Sequence, residues 1–142
     1  MSTAHNGDDV VHAAFPYDGP HNAETITEAA SAVAELHRYL NNATRSSTLT
    51  ASELASTLQS LSRAASGYRQ LLDQLTHQVG RLEQRGAIYS DQHPDDPQEA
   101  AKLQDLARET LDRTRADAEA LRHGLDTASG YLSRLGHRPP TA

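Results

Sequence analysis

The chain has 142 residues, which suits one domain with a modest core. Hydrophobic residues make up 37% and aromatics 4%, with Phe15 the only Phe and no Trp, so Leu and Ala must fill the interior and helix-on-helix packing is favoured. The net charge of −6 sits in two unopposed acidic stretches, Asp8, Asp9 and Asp18 in residues 1–21 and Asp91, Asp95 and Asp96 in residues 87–97. The remainder is near neutral with no basic stripe, which speaks against direct nucleic-acid binding. Cysteine is absent, excluding disulfides and thiolate metal sites and fitting a cytoplasmic location. No apolar run approaches the ~18 residues of a membrane helix. The N-terminus lacks the basic and apolar regions of a secretory signal, so neither membrane nor export is expected.

Residues 1–21 read as a disordered acidic tail, broken by Gly7, Pro16, Gly19 and Pro20 around a small apolar island, Val10 to Tyr17. Residues 22–136 read as the helical domain, and residues 137–142 as a second disordered tail. The first helix is expected over about 23–41, with Asn22 as N-cap and apolar positions Ile26, Ala29, Val33, Leu36 and Leu40. Asn41-Asn42 should stop it, and a polar link follows over 42–49.

The second helix is expected over about 50–85. Thr50 and Glu53 form a Thr-x-x-Glu capping box, with Leu49 and Leu54 as its hydrophobic staple. Its seam reads Leu54, Leu58, Leu61, Ala65, Tyr68, Leu72, Leu75, Val79, Leu82, an unbroken 4-3 alternation of heptad type. Gly86 should end it. Pro94 and the acids of the turn prevent a continuous helix. The third helix is expected over about 97–135, with Asp96 as N-cap, Pro97 in the first turn and Glu99 completing Asp-x-x-Glu. Its seam reads Ala100, Leu103, Ala107, Leu111, Thr114, Ala118, Leu121, Leu125, Ala128, Leu132, Leu135, with a stutter at 103–107–111. Glu109/Arg113, Arg108/Asp112, Arg113/Asp117 and Arg115/Glu119 are spaced as i,i+4 ion pairs. Gly136 and Pro139-Pro140 close it.

The short turn makes the last two helices antiparallel, with facing residue numbers summing to about 182. Leu82 then lies near Ala100, Leu75 near Ala107, Tyr68 near Thr114 and Leu61 near Leu121. The expected fold is all-α, a long antiparallel coiled-coil-like hairpin with a shorter third helix at its open end. The turn end is left with surplus apolar residues: Leu71, Leu75, Val79, Leu82, Ile88, Tyr89, Leu103 and Leu106. These are the candidate contact residues.

No catalytic set and no cofactor motif is legible. The eight histidines include no His-x-x-x-His or Glu-x-x-His pair, the helical spacing that points two ligands one way. The turn Asp91-Gln92-His93-Pro94-Asp95-Asp96 is the densest ligand cluster, but it lacks the glycine and distal Glu of a calcium loop. The serines of the second helix follow no nucleophile-elbow pattern. The expectation is a non-enzymatic scaffold or adaptor that self-associates, a dimer being favoured, or that binds another helical protein. The alternatives are an accessory subunit of a nucleic-acid-processing complex, or a metal- or ligand-binding bundle.

Overall fold

The computed structural model describes residues 6–138. Among these there are four α-helices, one 3-10 helix and no strand, an all-α fold. The chain divides into two units, Met1–Thr48 and Leu49–Ala142.

The first unit holds α1 (Gly7–Ala14) and α2 (Ala23–Ser46). Helix α1 lies in the stretch that the sequence reads as disordered. Asn6 caps it, Asp8 and Asp9 sit at the positive end of its dipole, and His12 lies in its last turn. Helix α2 starts where expected. The Asn22 side chain accepts from the Thr25 N–H and the Thr25 hydroxyl accepts from the Asn22 N–H, both at 3.0 Å. It runs past Asn41-Asn42 because nothing there supplies a competing cap. Thr44 instead donates back to the Leu40 carbonyl at 2.8 Å, and Ser47 is the C-cap.

The second unit is the hairpin, α3 (Ala51–Val79) and α4 (Pro97–Leu132). At ~1.5 Å per residue the helices are about 44 Å and 54 Å long. The Thr50–Glu53 capping box forms as the sequence predicts. Asp96 caps α4 through the Gln98 N–H at 3.0 Å, with Pro97 in the first turn. Glu99 does not complete a box.

Hydrogen bonds across the hairpin fix its direction and register. The Ser129 hydroxyl donates to the Ala55 carbonyl at 2.7 Å, and Ser62 donates to the Arg122 carbonyl at 3.3 Å. The Gln104 amide donates to the Val79 carbonyl at 2.7 Å. At the open end, the Ala51 N–H donates to Nε2 of His137 at 2.9 Å. His137 therefore satisfies one of the orphan donors of the α3 N-terminus, although the sequence places it in a tail.

Helix α3 ends at Val79, earlier than expected. Gly80 closes it, and the Arg81 N–H turns back to the Gln78 carbonyl at 3.0 Å. The backbone tightens into the 3-10 helix Leu82–Arg85, which Gly86 ends at a φ of 144° that only glycine adopts easily. Leu82, expected on the seam, lies in this tightened turn and is exposed.

The observed seam also differs in composition. Buried on α3 are Ala51, Ala55, Ser62, Ala65 and Leu72; buried on α4 are Ala100, Ala118 and Ser129. Leu58, Thr76, Val79, Leu111, Arg115, Arg122, Leu125 and Leu132 are half-buried beside them. One line of each expected seam is therefore retained: 58, 65, 72, 79 on α3 and 111, 118, 125, 132 on α4. The second line consists of residues three before or four after these: Ala55, Ser62 and Thr76 on α3, and Arg115, Arg122 and Ser129 on α4. The leucine line three residues after is not between the helices. Small residues let two backbones approach closely, and this places them at the contact in preference to Leu.

Candidate functional site

The displaced leucine lines define the candidate surface. On α3, Leu54, Tyr68 and Leu75 are exposed and Leu61 is half-buried. On α4, Leu103 and Leu121 are exposed, Leu121 to 58% and Tyr68 to 49%, which removes both from any core. In an antiparallel pair, equal offsets from the contact line fall on the same side. Leu54, Leu61, Tyr68 and Leu75 stand three residues after the α3 line, and Leu121 stands three after the α4 line. Leu103 bears the same relation to buried Ala100. All six lie along one flank of the hairpin.

The opposite flank is polar. Arg69 pairs with Glu119 at 3.6 Å, and the Arg115 guanidinium bonds Asp73 across the helices and reaches Asp112 at 3.8 Å. Arg122 holds Glu119 at 2.8 Å. This bond, more than the charges of Arg122 and Arg69, holds the Glu119 carboxyl below the ordinary carboxylate range. The expected i,i+4 pairs of α4 do not form among the described residues; Arg115 and Glu119 reach across the helix pair and to i,i+3 partners instead.

Of the turn-end residues chosen from sequence, Leu71, Leu75, Leu82, Tyr89, Leu103 and Leu106 are exposed. Val79 and Ile88 are half-buried, Val79 on the line that faces α4. Within the turn, Ser90 is buried and its hydroxyl accepts from the His93 N–H at 3.3 Å. The reading of the turn end misses Leu54, Tyr68 and Leu121, which carry the apolar flank along the hairpin. Their signal is present in the sequence, as the unbroken leucine line assigned there to the core.

No three His, Asp or Glu side chains come together as a metal cluster among the described residues, and no helix there is long and apolar enough to cross a membrane. His5, Pro139 and Pro140 lie outside the described residues. No protein-family model matches the chain, and no curated protein or solved structure is significantly similar to it.

Proposed function

We propose that this chain is a non-enzymatic helical scaffold or adaptor acting through protein–protein contacts in the cytoplasm, and that it self-associates along the leucine flank of the hairpin. The observation that carries the reading is the line Leu54, Tyr68, Leu75, Leu103 and Leu121 exposed on one side. Contiguous apolar patches beyond roughly 300–600 Å² mark contact surfaces, and this flank continues into Leu71 and Leu106 at the turn end.

A second copy suits this flank. A copy turned about a two-fold meets like with like, as an isologous interface requires. Two hairpins stacked this way make a four-helix arrangement in which the leucines supply the central layer.

Light scattering on the full chain at tens of micromolar, on the order used for weak dimers, should give a dimer. Leu75→Asp should give a monomer of unchanged helical circular dichroism. A wild-type monomer at that concentration rejects self-association. Capture of a different helical protein by wild type but not by Leu75→Asp would then identify the flank as a heterologous contact.

A further inference from the structure

A groove of about 910 Å³ lies at the turn end of the hairpin unit on the polar side, away from the leucine flank. Its lining includes His77, Arg81, Arg85 and Arg108, with Asp73 and Asp112. We propose that this groove binds a small molecule carrying a polyphosphate group.

The arginines are held but not neutralised. Arg85 donates to the Gln78 side chain at 3.3 Å, and the Arg81 Nε donates to the Gln84 side chain at 3.0 Å. Both partners are uncharged amides, which orient a guanidinium without compensating it. The Arg108 side chain lies against Gly80, where an added Cβ would stand 3.4 Å from its Nε. None of these arginines has a carboxylate within ion-pair distance among the described residues, unlike Arg69, Arg115 and Arg122. Both carboxylates of the groove face Arg115, which bonds Asp73 and lies 3.8 Å from Asp112.

Two features oppose an anion. Glu83 stands between Arg81 and Arg85 in the 3-10 helix, and the carbonyl end of α3 is adjacent. The second is blunted, because the Val79 carbonyl accepts from Gln104 and the Thr76 carbonyl accepts from the Gly80 N–H. A planar guanidinium fork matches phosphate oxygens two at a time, and a group of linked phosphates offers enough oxygens for several forks. The groove volume is in the range of about 300–1,000 Å³ that holds a nucleotide-sized ligand.

Inorganic pyrophosphate titrated into the full 15N-labelled chain at low salt should shift the Gly80, Arg81 and Arg108 amides saturably. Arg108→Gln should weaken that binding about tenfold or more, as loss of a charge-assisted pair does. Arg81→Gln combined with Arg85→Gln should do the same, with helical circular dichroism unchanged, while Arg45→Gln should leave binding intact. ATP titrated in parallel separates the sources: equal binding means that the phosphates alone are read, and tighter binding that the groove also takes the nucleoside. The absence of saturable shifts with either probe overturns the proposal. So does binding that survives all of the groove substitutions, or that falls equally in Arg45→Gln.

Discussion

Single residues decide where these helices start, and two carboxylates, Glu53 and Glu119, make the stability pH-dependent. Glu53 accepts from the Thr50 N–H at 2.8 Å and from its hydroxyl at 2.9 Å, bonds that hold its carboxyl below the ordinary range. Glu119 is lowered in the same direction by Arg122. A carboxyl with a folded value below its unfolded one contributes stability that is complete above the unfolded value and lost as pH falls through the folded one. The melting temperature should therefore drop on acidification below about pH 4, near the unperturbed carboxylate value. Glu53→Gln should start lower at neutral pH and show a shallower acid slope in the same circular dichroism melts; an unchanged slope removes Glu53 from the explanation. Thr50→Ala should cost about 1 kcal/mol in urea unfolding, the usual loss for an N-cap. Gly124 sits mid-helix with nothing within 4 Å of an added Cβ. Gly124→Ala should therefore stabilise the chain by about 0.5–1 kcal/mol, through helix propensity alone.

At the scale of the helix, the contact between α3 and α4 sets leucines beside small side chains, and enlarging a small one should be costly. Ala65→Leu or Ala118→Leu should destabilise the hairpin by about 1–3 kcal/mol in urea unfolding, because both sites are buried and the backbones must part. Leu121→Ser should leave the monomer's stability within about 0.5 kcal/mol, since its side chain already meets water. The hairpin, the starts of its helices and one contact line on each were legible in the sequence. Caps are local, so Thr50, Glu53 and Asp96 declare themselves within a few residues. The rotation of each helix was not legible. A hydrophobic pattern ranks Leu61, Tyr68 and Leu121 above Ala55, Ser62 and Ser129, whereas the close pair contact buries the latter and leaves the former for something else. The end of α3 was also hidden. A leucine at 82 continues the period, and only the Gln104 bond to Val79 and the tightened turn after Gly80 show that the helix has stopped.

At the scale of the molecule, association along the leucine flank would couple folding to concentration. If two hairpins share that flank, the melting temperature should rise with protein concentration, because only the folded chain dimerises. Leu75→Asp should abolish the dependence, and a wild-type melt independent of concentration would contradict the proposed dimer. The bonds of Ser129 to Ala55 and Gln104 to Val79 have a further consequence, one of alignment. A heptad repeat of apolar contact residues is nearly degenerate: sliding one helix past the other by seven residues again sets apolar positions against apolar positions. The two bonds stand near opposite ends of the hairpin and work only in one alignment. They act as pins against slippage more than as sources of stability. A Gln104→Ala/Ser129→Ala double variant is expected to populate slipped forms, visible as doubled amide resonances along both helices.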